Sequence, residues 1–85
     1  MSIDHIESFL YVVEYKSIHK AAQALFLTQP TISARIKALE ENLGTKLFMR
    51  NGRSLKLTEQ GEYFITYEQS IVQTYRTSQV QFQQI

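Results

Sequence analysis

The sequence predicts a mainly α-helical fold with short helices, one two-stranded β-hairpin and a long C-terminal helix. Apolar residues recur three or four positions apart along most of the 85 residues, which is the period of an amphipathic helix. That period changes once, between Gly44 and Thr58, where Asn51-Gly52 is a strong hairpin-turn signal. After Gly61 the helical pattern runs to Ile85 with no further glycine or proline to interrupt it.

Three short helices are predicted before the hairpin. The first covers residues 3–14, where Asp4 and Glu7 lie near the N-terminus and complement the helix dipole. The second begins after Ser17, a favourable N-cap residue. The third covers residues 28–43, with Thr28 as its N-cap, Pro30 in its first turn and Gly44 at its C-terminus. Its predicted core stripe consists of Ile32, Ile36, Leu39 and Leu43.

The second and third helices are joined by a tight turn at Phe26–Leu27, which predicts a helix-turn-helix. A hairpin over residues 46–57 follows, with Arg50 and Arg53 on either side of its tip. The full prediction is a winged helix-turn-helix domain over residues 1–58, followed by a linker helix over residues 59–85. At about 1.5 Å per residue that helix would be roughly 40 Å long, longer than so small a domain is wide.

Positive charge is concentrated in one half of the chain. The formal net charge is only +1. Residues 1–14 carry three acidic and no basic residues, whereas residues 15–58 carry eight basic residues against Glu40 and Glu41. Such a local excess is typical of a surface that binds phosphate groups, so the sequence predicts double-stranded DNA as a partner.

The outward face of the third helix is short-chained and polar near its start, which suits insertion into a DNA major groove. Lysines and arginines near this face are better suited to phosphate contacts than to base reading. The predicted major-groove residues are Thr28, Gln29, Pro30, Thr31, Ser33, Ala34 and Lys37. The predicted backbone or wing contacts are Ser17, Lys20, Arg35, Arg50, Arg53 and Lys56.

These elements resemble the N-terminal domain of LysR-type transcriptional regulators. The resemblance implies a winged helix-turn-helix whose third helix enters the major groove and whose wing arginines, here Arg50 and Arg53, reach backbone or minor groove. One position departs from the family: the arginine that often follows the serine matching Ser33 is replaced by Ala34, and Arg35 comes next. The matching residues are Phe9, Val13, Ser17, Ala21-Ala22, Leu25, Gln29-Pro30, Ile32-Ser33, Ile36, Leu39-Glu40, Leu43-Gly44, Lys46-Leu47-Phe48, Arg50, Leu57-Thr58 and Gly61.

The last helix carries apolar side chains that one small domain cannot cover. Phe64, Ile71, Tyr75 and Phe82 recur at coiled-coil-like spacing and predict a homodimer interface, antiparallel as the family resemblance implies. A dimer matches a dyad-symmetric operator containing A·T pairs. Because the stripe reaches Ile85 without a stop signal, we expect the natural chain to continue into the effector-binding domain that the resemblance implies. RNA polymerase is a further expected partner of that full-length protein.

Catalysis is not expected. The sequence has no cysteine, His5 and His19 lack a third metal ligand at suitable spacing, and Ser33 lacks the context of a nucleophile. We therefore expect no cofactor and no metal, a cytoplasmic location and no membrane span. Two alternatives stay open at this point: a stand-alone winged-helix repressor that senses a ligand, and a winged-helix protein-interaction module without DNA binding.

Overall fold

The computed structural model describes residues 2–51 and 54–83, and it confirms the predicted fold class. Within those residues the described elements comprise four helices and one hairpin, and no described helix is long and apolar enough to span a membrane. The molecule measures 51 × 26 × 19 Å. The elements in chain order are α1 (Ile3–Tyr15), α2 (Ile18–Leu25), α3 (Gln29–Leu43), β1 (Phe48–Asn51), β2 (Ser54–Leu57) and α4 (Glu59–Gln83).

Local signals fix the helix ends where the sequence predicts them. The Ser17 side chain accepts a hydrogen bond from Lys20 N at 3.1 Å, and Thr28 Oγ1 accepts from Thr31 N at 3.4 Å. Each such N-cap stabilises a helix by about 1 kcal/mol. Gly44 ends α3 in the left-handed conformation, with φ 71°. The helix-turn-helix and its boundaries therefore follow from short-range chemistry.

The hairpin is antiparallel, and Phe48 pairs with Leu57 while Arg50 pairs with Leu55. Because side chains alternate along a strand, these four residues share one face of the hairpin. The opposite face carries Met49 and its partner Lys56, which are both exposed. The hairpin therefore turns its apolar face towards the helices, and Arg50 lies on that same face nearer the tip.

The described residues form two core clusters of buried side chains, and α1 contributes to both. One joins α1 to the hairpin and α4, and the other joins α1 to α2 and α3. The ring of Phe9 connects elements distant in sequence, since its centroid lies 5.1 Å from that of Phe48 and 5.8 Å from that of Phe64. The buried members of the first cluster are Ile6, Phe9, Leu39, Leu47 and Val72. Those of the second are Val12, Ala21, Ala22, Ile32 and Ile36.

Gly61 sits where α4 passes closest to the start of the hairpin. A Cβ atom at this position would lie closer than van der Waals contact to the Leu47 carbonyl oxygen and to Leu57 Cδ2. Thr58 fastens the same junction, because its Oγ1 donates to the Lys46 carbonyl at 2.6 Å and accepts from Gly61 N at 2.9 Å. The hairpin is thus anchored to the base of α4 at a fixed distance.

Candidate nucleic-acid interface

The start of α3 presents the residues that the sequence predicts to read DNA. Ile32, Ile36 and Leu39 are buried, so the opposite side of the helix faces outward. Thr31 is half-buried, and its hydroxyl lies 2.8 Å from the Thr28 hydroxyl. The other predicted major-groove residues are all exposed: Thr28, Gln29, Pro30, Ser33, Ala34 and Lys37.

A cationic groove of about 600 Å³ runs between the N-terminus of α2, the N-terminus of α3 and the hairpin. It combines the Lys16, Lys20 and Arg50 cations, and no carboxylate is among its described lining residues. The positive end of the α2 dipole adds to this charge. The groove lining is Lys16, Ser17, Ile18, His19, Lys20, Gln29, Arg50 and Leu55.

A second depression, of about 360 Å³, continues from that groove along the side of α3. Ser33 and Lys37 line it from the helix, while Lys46 and Arg50 line it from the hairpin side. Arg50 borders both depressions, because the hairpin register places it on the face turned towards the helices. The two depressions form one concave surface between α3 and the wing.

Glu40 holds the hairpin against α3. Its Oε2 accepts hydrogen bonds from Leu47 N at 2.7 Å and Phe48 N at 3.3 Å, and its Oε1 lies 3.9 Å from Lys46 Nζ. The Glu40 side chain is only 11% exposed, whereas the Lys46 side chain is 75% exposed. The backbone hydrogen bonds therefore matter more than the ion pair, since exposed pairs contribute little. Through Glu40, α3 sets the position of the wing.

His19 is a groove residue for which the sequence predicts no role in DNA binding. His19 Nδ1 lies 2.8 Å from Gln29 Nε2, which joins the first turn of α2 to the first residue of α3. No group of three or more His, Cys, Asp or Glu residues in the described part of the chain could hold a metal ion. The signal available in the sequence was the position of His19 in the first turn of α2, the helix that precedes α3.

Two predicted backbone contacts lie away from the concave surface. Arg35 is half-buried on the side of α3 towards α1, where its Nη1 donates to the buried Ser8 Oγ at 3.3 Å. Lys56 lies on the outer face of the hairpin, opposite the face that carries Arg50. Arg53 is outside the described residues. The structure thus brings Ser17, Lys20, Gln29, Ser33, Lys37 and Arg50 together, and it separates Arg35 and Lys56 from them.

A second distinctive surface lies along α4. Phe64, predicted as an interface residue, is half-buried and packs against Phe9 in the first core cluster of the same chain. Ile71 and Tyr75, the other predicted interface residues described, are exposed. The side chain of Phe82 and the residue Ile85 lie outside the described part. Among the described side chains of α4, the large exposed apolar or aromatic residues are Tyr63, Tyr67, Ile71, Tyr75 and Val80.

Two tyrosines on this α4 surface form a pair. The Tyr67 hydroxyl donates to the Tyr63 hydroxyl at 3.3 Å, and the ring centroids are 5.5 Å apart. This hydrogen bond, together with the charge interaction between the two hydroxyls and slight desolvation, raises the pKa of Tyr67. Both rings also line a mainly apolar groove of about 450 Å³ that Leu43 and Leu47 complete. The α4 surface is thus aromatic where the concave surface is cationic.

Sequence comparisons match the chain to a known protein family. The profile described as "Bacterial regulatory helix-turn-helix protein, lysR family" matches residues 3–62. The HTH-type transcriptional regulator CitR of Bacillus subtilis (strain 168) is 32% identical over 85 residues, all of this chain, which spans 29% of CitR. The uncharacterized HTH-type transcriptional regulator YwbI of the same organism is 54% identical over 57 residues, 67% of this chain and 19% of YwbI.

Solved structures agree with the sequence relatives. The chain is similar to the BenM DNA-binding domain in its complex with benA site 1 DNA, with a TM-score of 0.90 and 33% identity over 99% of this chain and 94% of that one. It is also similar to Vibrio fischeri DarR in complex with DNA, with a TM-score of 0.94 and 27% identity over 99% of this chain and 29% of that one. The chain therefore belongs to the lysR family of bacterial transcriptional regulators, and its fold is that of the family's DNA-binding domain.

Proposed function

We propose that the chain binds double-stranded DNA in a sequence-specific manner through the concave surface between α3 and the wing. The observation that carries this proposal is the convergence of Lys20, Gln29 and Arg50 from three different elements on one groove. The BenM and DarR structures, solved as complexes with DNA, have the same fold and support the proposal. The comparisons offer no support for a ligand-sensing repressor or for an interaction module without DNA binding.

In the proposed mode the start of α3 enters the major groove. Ala34 and Ser33 are small enough to let the helix backbone approach the bases, and Gln29 can hydrogen-bond to base edges. Lys20 and Arg50 bind phosphates along the groove beside the helix. Because phosphate contacts release condensed counterions, the affinity falls steeply with salt. Arg35 and Lys56 are the weakest candidates for such contacts, since both lie away from the concave surface.

The α4 surface is the proposed homodimer interface. Ile71 and Tyr75 are 39% and 45% exposed, and they lie within about 40° of each other on the helix. A second copy of α4, packed antiparallel, would cover them and relate two domains by a two-fold axis. Two recognition helices held in this way match half-sites about one helical turn, or a multiple of it, apart. We propose residues 1–58 as the reading domain and residues 59–85 as the linker helix.

The chain spans 29% of the length of CitR. Further proposals therefore concern the whole protein. We propose a regulator that acts on transcription in the cytoplasm, with an effector-binding domain and contacts to RNA polymerase outside the present chain. Its proposed activity is binding rather than catalysis, which the description of the matched relatives as transcriptional regulators supports.

The test of DNA binding is selection of bound duplexes from a random pool, followed by affinity measurements at several salt concentrations. We expect a dyad-symmetric consensus containing A·T pairs. Lys20→Ala should weaken binding to cognate and random duplexes alike and lower the salt slope by about one. Gln29→Ala should weaken mainly the cognate duplex, by about 1–3 kcal/mol. Failure to enrich any sequence, or equal losses on both duplexes for both variants, would contradict the proposal.

A further inference from the structure

His19 and Gln29 meet across the turn of the helix-turn-helix. His19 Nδ1 lies 2.8 Å from Gln29 Nε2, although the two residues are ten positions apart in the chain. His19 belongs to the first turn of α2, and Gln29 is the first residue of α3. Both side chains line the cationic groove beside Lys20 and Arg50. The contact therefore lies where the proposed DNA backbone and base edges approach.

We propose that His19 is a positioning residue that fixes the carboxamide of Gln29 for reading an adenine. The inference rests on the DNA-binding function proposed above. With the neutral imidazole carrying its proton on Nε2, His19 Nδ1 accepts one N–H of the Gln29 amide. The amide then offers its second N–H and its Oε1 to the duplex. One donor beside one acceptor matches adenine N7 and N6 in the major groove.

The opposite orientation of the Gln29 amide would read a different base. The terminal torsion of glutamine is broad and roughly two-fold, so an unrestrained carboxamide samples both orientations. With Oε1 turned inwards, the donor and the acceptor exchange places on the outward edge, so the N–H faces the position where adenine carries its N6 donor and guanine carries its O6 acceptor. When its Nδ1 accepts from Gln29 Nε2, His19 holds the first orientation and so favours adenine over guanine.

The effect of this contact should appear in the DNA complex rather than in the free protein. Both side chains are exposed, and water competes for an exposed hydrogen bond. A docked duplex excludes that water, and an amide N–H left without a partner is then costly. His19 should therefore influence base preference strongly and the stability of the free fold very little.

The experiment uses the duplex that wild-type protein selects from a random pool, together with duplexes substituted at each half-site position. Gln29→Ala first identifies the position that Gln29 reads, which we expect to be an A·T pair. At that position His19→Ala should reduce the preference for adenine over guanine by about tenfold. His19→Asn should restore most of the preference, because the asparagine carboxamide places an acceptor near the position of Nδ1.

Two comparisons separate positioning from a general contribution to binding. Lys20→Ala, at the next residue of α2, should weaken every duplex and lower the salt slope while leaving base preference unchanged. His19→Ala should leave the salt slope unchanged and have no further effect on base preference when Gln29 is already alanine. Circular dichroism melts confirm that each variant folds.

The proposal is overturned if His19→Ala keeps the wild-type preference within twofold, or if its effect adds to that of Gln29→Ala. It is also overturned if the position that depends on Gln29 is not an A·T pair. A wild-type protein that enriches no sequence would instead refute the proposed function, which makes the two failures distinguishable.

Discussion

The concave surface around the start of α3 and the exposed face of α4 offer opposite chemistry to a partner. The first presents short polar side chains among Lys16, Lys20 and Arg50. The second presents the large rings of Tyr63, Tyr67 and Tyr75, which are 67%, 53% and 45% exposed. A cationic concave surface suits a polyanion, whereas an aromatic helix face suits another apolar surface. One small chain thus keeps its two proposed recognition surfaces on separate elements.

Both surfaces depend on one core, and Phe9 is the residue that most directly tests this dependence. Phe9 is fully buried and contacts the rings of Phe48 in the wing and Phe64 in α4. Phe9→Ala should lower the free energy of unfolding by about 3–5 kcal/mol, measured by urea denaturation. Met49→Ala, at a residue 55% exposed, should change it by less than about 0.5 kcal/mol. A loss below 1 kcal/mol for Phe9→Ala would show that the two surfaces are not joined through this ring.

Glu40 tests whether the wing is part of the reading surface. Glu40→Ala leaves two half-buried backbone N–H groups, those of Leu47 and Phe48, without their acceptor. We expect a loss of about 1–3 kcal/mol of unfolding free energy and weaker DNA binding, measured by denaturation and by fluorescence anisotropy. Glu41→Ala is the matched control, because Glu41 is the exposed neighbour of Glu40 on α3 and its substitution removes the same charge. Equal effects of the two variants would show that Glu40 contributes through its negative charge and not through its hydrogen bonds to the hairpin.

Tyr75 tests the proposed dimer interface on α4. Tyr75→Glu places a charge on the proposed dimer face, where burial of an unpaired carboxylate is unfavourable. The dimer dissociation constant should rise at least tenfold, about 1.4 kcal/mol, in sedimentation equilibrium. Gln73→Glu adds the same charge to an exposed position about 160° around the helix and should leave dimerisation unchanged. A dimer that is insensitive to Tyr75→Glu would require a different interface.

Phe26, at the end of α2, provides the smallest expected effect on stability. It is 95% exposed and adopts the left-handed conformation, with φ 57°, which bulky residues disfavour. Phe26→Asn should raise the free energy of unfolding by about 0.5–1 kcal/mol, because asparagine tolerates this conformation better. Phe26→Ala keeps the backbone strain and should give no such gain in thermal melts. A loss of stability with asparagine would mean that the exposed ring makes a stabilising contact.

Features governed by neighbouring residues were predictable from the sequence, and features governed by distant ones were not. Ser17, Thr28 and Gly44 act within one helical turn, so their capping roles could be predicted from local pattern. The carboxylate of Glu40 reaches the backbone of Leu47 and Phe48, which requires the hairpin to fold back on α3. No periodicity contains that information.

The predicted site shows the same division. The outward face of α3 follows from its apolar stripe, which is why exposed Gln29 and Ser33 were predictable. Arg35 lies about 60° from Ile32 on the helical wheel, and its inward position became evident only once α1 placed Ser8 beside it. The contact between His19 and Gln29 depends on the crossing of two helices, which the sequence does not specify.

The most direct test of the account compares binding to a complete dyad-symmetric duplex and to a single half-site, for wild type and for Tyr75→Glu. We expect wild-type protein to bind the dyad more tightly than the half-site. Tyr75→Glu should keep the half-site affinity and lose the gain on the dyad, because in the proposed mode α3 reads bases and α4 joins the copies. A variant that loses half-site affinity to the same extent, or that keeps the full gain on the dyad, would contradict this division between the two surfaces.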